Sequence, residues 1–253
     1  MTTGLVRRGD RLWRPTGPWS PAVHEYLRHL ESAGFRGAPR LIRLDGDHEV
    51  LTYIEGEVAA DPHWHPGHGH RLPGYTRTIE ALRAAARLLR ELHEAVAGFS
   101  PRKTGYRFHP HPPRPGEIIC HGDLGPWNTV YRDGVPVAFI DWDSAEPARP
   151  LTDLAAAAWA FVPLAPAGQL AEAGFDAASA TDNMITRLGD FAAAYGLDDP
   201  RAILPELVRS ELASASRIRH VAPTAASAAD SLEHLASRVR WIDQVLPRLA
   251  QAL

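Results

Sequence analysis

A chain of 253 residues that is 45% hydrophobic and 23% charged can fill one large core or two lobes that share a cleft, which excludes a disordered polypeptide. Its net charge of −3 lacks the basic surplus with which nucleic-acid binders neutralise phosphates. Cys120 is the single cysteine, which excludes an internal disulfide and a thiolate metal cluster, and neither a secretory leader nor a run of about 18 apolar residues is visible; the expectation is a cytoplasmic protein with no nucleic-acid and no membrane partner.

In chain order, Val6 to Arg14 alternates loosely and turns at Gly9-Asp10, which predicts a short β-hairpin. Pro15, Gly17 and Pro18 end it. Ser20 as N-cap, Pro21 at the first helical position, and Val23, Leu27 and Leu30 at helical spacing predict a helix that stops at Gly34. Leu41–Leu44 and Glu49–Ile54 flank Asp45-Gly46-Asp47, a second hairpin. The stretch from Ala59 to Gly74, rich in Pro, Gly and His, reads as a loop. Ile79, Leu82, Ala86, Leu89 and Val96 then form one stripe, an amphipathic helix ended by Gly98. After a proline-rich loop come short strands at Glu117–Cys120, Thr129–Tyr131 and Val137–Ile140, the last two separated by the turn Asp133-Gly134. From Leu151 the pattern is helical, broken at Pro163, Pro166, Gly196 and Pro200, with a long final helix to about Leu253.

The chemistry concentrates in IICHGDLGPWNTV, Ile118 to Val130, and FIDWD, Phe139 to Asp143. Phosphoryl transfer asks little covalent help of a protein; it needs an oriented hydroxyl, metal ions bridging the phosphates, and neutralised charge. In the kinase template an Asp in H-x-D-x4-N takes the substrate hydroxyl, the Asn binds Mg2+, and a later Asp after a hydrophobic strand binds the same metals. His121, Asp123, Asn128 and Asp141 stand at that spacing.

These residues resemble the aminoglycoside phosphotransferase and choline kinase-like family. The resemblance implies an α+β, two-lobed protein-kinase-like fold with a shortened N-terminal β-sheet lobe and hinge (residues 1–56) and a mainly helical C-terminal lobe (57–253) that carries the catalytic loop and the acceptor site. It implies that Asp123 is the catalytic base, that Asn128 and Asp141 are Mg2+ ligands, and that His121 braces the loop. Asp143 either assists the metal or caps the next turn. Pro150 to Ala155, PLTDLA, resembles the family's P-x-x-D-L-A, which makes Asp153 a supporting residue. Leu51 to Gly56, LTYIEG, looks like the hinge strand, so the Thr52 carbonyl and the Ile54 amide would meet the adenine edge, and Ile140 joins them as a nucleotide contact. Gly122 replaces the Arg with which protein kinases read their activation loop, and there is neither D-F-G nor A-P-E; a small hydroxylated acceptor is favoured, with ATP or GTP as donor.

The first lobe departs from the kinase pattern. It has no G-x-G-x-x-G loop, and the one lysine of the chain, Lys103, is far downstream. Arg14 stands where the strand lysine would be and can bind phosphate through its fixed fork, with Glu25 as candidate partner on the helix. Two rivals follow: a non-catalytic binding or toxin-immunity protein on the same fold, and a metal-dependent hydrolase using His63, His65, His68 and His70. From Thr181 to Leu253 nine acids stand against eight arginines, not the acidic surplus that a polycationic aminoglycoside calls for. Trp127, Trp142 and Trp159 read as core packing, with substrate stacking as the sharper alternative.

Overall fold

In the computed structural model, which describes residues 4–60, 71–162, 164–173, 180–221 and 225–253, the chain begins with two hairpins that merge into one sheet. β1 (Val6–Arg8) and β2 (Arg11–Pro15) turn at Gly9-Asp10; β3 (Leu41–Asp45) and β4 (His48–Thr52) turn at Gly46-Asp47. β2 pairs antiparallel with β4, giving the order β1-β2-β4-β3 and setting Arg14 opposite Glu49. The histidines at 63, 65, 68 and 70 lie outside the described residues.

Helix α1 (Ser20–Ser32) lies between the hairpins in sequence and buries Val23, Tyr26, Leu27 and Leu30, the predicted stripe. Its N-cap is Trp19 and not Ser20. The Ser20 hydroxyl instead accepts from the Gly17 amide at 2.9 Å, closing the preceding turn, so it is already inside the helix. Tyr26 joins the first sheet's helix to the rest of the molecule: its hydroxyl donates to Ile119 O at 2.6 Å and its ring meets Trp142 edge-on at 5.5 Å. A fully buried phenol with its one donor satisfied is a specific joint, since losing the bond leaves a carbonyl unpaired in an apolar setting.

The chain leaves the first sheet after Thr52 and enters a second at β5 (Glu57–Val58), which pairs with β7 (Thr129–Arg132); β7 in turn pairs with β8 (Val135–Phe139). The crossing is tight. Gly56 has φ +148°, and a Cβ there would stand 2.5 Å from Tyr131 O, so only glycine lets the segment pass this close to β7. β6 (Ile118–Cys120) pairs with β9 (Glu146–Ala148), a strand the sequence pattern does not announce. Three residues centred on Pro147 carry no readable alternation, and a proline is admissible because the strand has β6 alone as neighbour.

The remaining mass is helical: α2 (Ile79–Val96), α3 (Pro150–Phe161), α4 (Ala167–Glu172), α5 (Ala180–Tyr195), α6 (Leu204–Val221) and α7 (Ala225–Ala252). Thr78 caps α2 by accepting from Ala81 N at 3.1 Å, and the helix buries Leu82, Ala86, Leu89, Leu92 and Val96. On that face His93 bonds Asp153 of α3 at 3.0 Å and the Tyr195 hydroxyl of α5 at 2.8 Å, tying three helices through one buried polar network. Asp153 is thus a joint of the helical half, remote in bonding from Asp123 and Asp141. Among the described residues no helix is long and apolar enough to cross a membrane.

Candidate active site

The loop between β6 and β7 owes its shape to a histidine and a glycine. His121 is fully buried, and burial holds its pKa below the usual imidazole value, so the ring is neutral. A neutral ring with one donor and one acceptor fits its two contacts: Nε2–H donates to Ile140 O at 2.9 Å, and Nδ1 accepts from Asp123 N at 3.3 Å. The same side chain therefore fixes the loop that carries Asp123 to the strand end that carries Asp141. Gly122 has φ +81°, and a Cβ would lie 2.0 Å from Ser144 O. Glycine is thus demanded by the backbone, so the missing arginine at this position has a steric reason independent of the acceptor's nature.

Asn128 closes the loop. Its Nδ2 donates to the Asp123 carboxylate at 2.9 Å and to Asp123 O at 2.9 Å, while its backbone carbonyl accepts from Ile140 N at 2.9 Å. Asp123 is exposed to solvent by surface area, yet protein is packed densely around it, and this partial desolvation raises its pKa to about 6. The Arg217 charge and the Asn128 bond oppose the rise, and the negative charge of Asp141 adds to it.

Asp141 is one of two non-glycine residues with positive φ among the described residues, at +62°, two residues past the end of β8. A left-handed residue at a strand end turns the chain sharply, so the Asp141 and Asp143 side chains both reach one cation. That cation is Arg14. It is 5% exposed; Nη1 lies 3.1 Å from Asp141 Oδ1, Nη2 lies 2.8 Å from Asp143 Oδ1, and Nε lies 2.6 Å from Glu49 Oε1. Burial alone would lower the Arg14 pKa, but the charges of Asp143, Glu49 and Asp141 outweigh it and raise it. Burial likewise lifts Asp143, against the pull of Arg14.

Behind Arg14 stands a residue pair that the sequence reading missed. Glu49 is fully buried, with one carboxylate oxygen on Arg14 and the other hydrogen-bonded by His24 Nε2 of α1. Burial pushes its pKa up, yet these bonds and the Arg14 charge win, and the carboxylate is held below its ordinary range. Glu25, the candidate partner for Arg14, faces the other way: it accepts from the Arg102 side chain at 3.0 Å and from Lys103 N at 2.7 Å. The signal was present, because His24 is three residues before Leu27 on the buried stripe, whereas Glu25 is rotated off it. Lys103 is exposed.

At the hinge, Thr52 N donates to Arg40 O at 2.9 Å and Thr52 Oγ1 accepts from Arg40 N at 2.9 Å; Tyr53 N donates to Asp10 O at 2.8 Å. Thr52 and Ile54 are half-buried on this segment, and Ile140, also half-buried, lies between Asn128 and Asp141 in the bonding network. For a divalent cation the donor set is suitable. Asn128 spends its amide nitrogen on Asp123, which leaves its carbonyl oxygen, and Asp141 has one carboxylate oxygen on Arg14, which leaves the other; hard oxygen donors of this kind suit Mg2+.

On the helical side Asp123 opens into a cavity of about 200 Å3. Trp127 and Trp159 line it, and so do Glu211 and Arg217 of α6 and Arg238 of α7. Trp142, by contrast, is core, 1% exposed against Tyr26 and His121. Arg217 lies 2.5 Å from buried Glu146 Oε1. None of the α6 and α7 residues could be found from local spacing, since their relation to Asp123 depends on helix packing.

Residues 106–184, which contain Asp123, Asn128 and Asp141, match the model of the phosphotransferase enzyme family. The trifolitoxin immunity protein of Rhizobium leguminosarum bv. trifolii is 39% identical over 163 residues, which cover 62% of this chain; the match spans 58% of the length of that relative. A choline/ethanolamine kinase family protein from Mesorhizobium loti superposes over 100% of this chain and 88% of its own, at 16% identity and a TM-score of 0.60. A macrolide 2'-phosphotransferase from Brachybacterium faecium does so over 91% and 87%, at 14% identity and a TM-score of 0.55. An amicoumacin kinase in complex with AMP-PNP and Ca2+ covers 91% and 82%, at 12% identity and a TM-score of 0.56. At these identities the solved structures share the fold.

Proposed function

From a chain whose catalytic segment matches the phosphotransferase enzyme family on a kinase-like α+β fold, we propose a Mg2+-dependent transfer of the γ-phosphoryl of ATP or GTP to a hydroxyl of a small molecule. The observation that carries this reading is the bonded set Asp123–Asn128 and Arg14–Asp141–Asp143, brought together by the His121 bond to the Ile140 carbonyl. In it the Asp123 carboxylate accepts the proton of the acceptor hydroxyl as that oxygen bonds to the γ-phosphorus and the bond to the bridging oxygen breaks, releasing the nucleoside diphosphate. Asn128 restrains the Asp123 carboxylate and offers its carbonyl oxygen, with Asp141, to the metal. Bound Mg2+ supplies charge neutralisation on the phosphates. The guanidinium of Arg14, held by Glu49, takes the role of a strand lysine on the α and β phosphates, while the Thr52 carbonyl, the Ile54 amide and Ile140 receive the base.

His121 and Asp153 support this arrangement without touching the reacting atoms. Asp143 acts through Arg14, which favours a positioning role over direct metal ligation.

A second reading, a non-catalytic binding or immunity protein, is favoured by the 39%-identical relative, a trifolitoxin immunity protein. Turnover separates the two. Supplied with a broad panel of hydroxylated acceptors and Mg·ATP or Mg·GTP, the wild-type protein is expected to release nucleoside diphosphate, and Asp123→Asn is expected to lower kcat by about 10²–10⁴-fold with its nucleotide-induced thermal shift retained. Nucleotide binding with no diphosphate released by wild type on any acceptor would favour the binding protein.

A further inference from the structure

The cavity beside Asp123 has walls of a definite character. Trp127, Trp159, Leu164 and Leu235 give it an apolar body, and the Arg238 guanidinium sits 4.1 Å from the Trp159 ring centroid. Set into that apolar wall is a buried ion pair, Arg238 Nη2 to Glu211 Oε1 at 3.1 Å. The pair does not use all its capacity: Glu211 is 4% exposed, yet its Oε2 has no hydrogen-bond partner among the described residues, and neither has Arg238 Nε. A buried carboxylate oxygen without a donor and a buried guanidinium N–H without an acceptor each cost free energy, and the two residues that carry them line the cavity.

Charge narrows the class. The cavity lining holds Arg77, Arg217 and Arg238 against Asp123 and Glu211, with Glu146 paired to Arg217 behind it, so a ligand with several ammonium groups finds no acidic surplus. A carboxylate ligand could use Arg238 but would face Asp123 and Glu211 together. An uncharged amide offers an N–H to Glu211 and a C=O to Arg238 at once, and so matches the pair without adding charge.

Resting on the phosphotransferase reading, we infer that this cavity takes an uncharged, hydroxyl-bearing amide with an apolar body, docked on the Glu211–Arg238 pair, in preference to a polycation. The discrimination resides in the pair: a site built to hydrogen-bond a polar group rejects ligands that leave it unmatched more strongly than an apolar wall rejects a change of shape.

The test uses acetyl-seryl-leucinamide and acetyl-threonyl-phenylalaninamide as probes, with kanamycin as polycation and choline as small cation. Calorimetry of each probe reads the cavity, and phosphate transfer from Mg·ATP and Mg·GTP reads the reaction. The amides are expected to bind, and to be phosphorylated with kcat/KM at least about tenfold above kanamycin and choline. Glu211→Gln is expected to raise the KM for the amides by about tenfold with kcat within about threefold, the signature of lost ground-state binding. Ala160→Leu, which adds volume at a half-buried lining position, is expected to abolish amide binding while the Mg·nucleotide thermal shift stays unchanged. Preference for kanamycin or choline, absence of amide binding to folded wild-type protein, or an unchanged KM in Glu211→Gln would each overturn the inference. Amide binding is read without nucleotide, so a failure of the phosphotransferase reading, seen as no Mg2+-dependent nucleotide binding, is recorded separately.

Discussion

The loop that carries Asp123 and the Arg14 clamp are linked through His121 and Asp141, and they are built by opposite means. The loop is local: His121, Gly122, Asp123 and Asn128 lie within eight residues, and their geometry follows from one neutral imidazole, one glycine and one amide. The clamp is assembled from three elements, with Arg14 on β2, Glu49 across from it on β4, and His24 on α1, and its cation then reaches Asp141 and Asp143 more than 120 residues away. Where the loop stores its specificity in backbone turns, the clamp stores it in buried charge. A local device tolerates changes elsewhere in the fold, whereas a clamp of buried ions depends on every partner remaining in place.

Breaking the clamp is therefore expected to cost most in stability. Arg14→Met leaves Glu49, Asp141 and Asp143 without their shared cation, two of them largely buried, and is expected to lose about 3–5 kcal/mol. Chemical denaturation of the purified variant measures this; a loss below about 1 kcal/mol would mean the carboxylates do not need Arg14. The loop counterpart is Gly122→Ala. A methyl forced to within 2.0 Å of Ser144 O, at φ +81°, is expected to cost at least about 2 kcal/mol, visible as a fall in Tm of several degrees. An unaltered Tm would contradict a glycine-dependent turn.

The comparison sharpens at His24, which touches no ligand-facing group. His24→Asn removes the bond to Glu49 and is expected to cost about 2 kcal/mol and to weaken nucleotide binding through a loosened Arg14, while the titration of Asp123 in the opposite region stays in place. If nucleotide affinity is unchanged in that variant, Glu49 alone orients the guanidinium. The smallest expected effect concerns Asp123 in metal-free protein. Its carboxyl should titrate at about 6 by NMR, and Asp141→Asn should shift the midpoint down, because the Asp141 negative charge is one of the contributions that raise it. The sign is fixed: a folded-state pKa above the ordinary carboxylate value means that desolvation at this site favours the folded protein at pH below the ordinary value and opposes it as pH rises through about 6.

The two regions also differ in how they could be read from sequence. The α+β kinase-like fold, both N-terminal hairpins, α1 and α2 are legible because hydrophobic period and turn residues agree along each segment. The loop is legible because its residues are contiguous and each answers a local demand. The clamp is only half legible. Arg14 can be placed by its strand, but Glu49 becomes its partner through a β2–β4 register that no local spacing encodes, and Glu25 looks as suitable as His24 until the buried stripe of α1 is followed to its end. The strand β9 escapes because three residues around a proline carry no alternation. Arg217, Glu211 and Arg238 escape because helix packing alone brings α6 and α7 to Asp123.

Asp141 joins the two regions, paired with Arg14 from the clamp and set beside Asn128 through the Ile140 backbone, which His121 also holds. The most direct measurement is a thermal-shift scan with ATP and GTP, with and without Mg2+, on wild type and Asp141→Ala. A Mg2+-dependent stabilisation in the wild type that disappears in Asp141→Ala is the expected result; no nucleotide-dependent shift in wild type, or an undiminished one in the variant, would contradict the account.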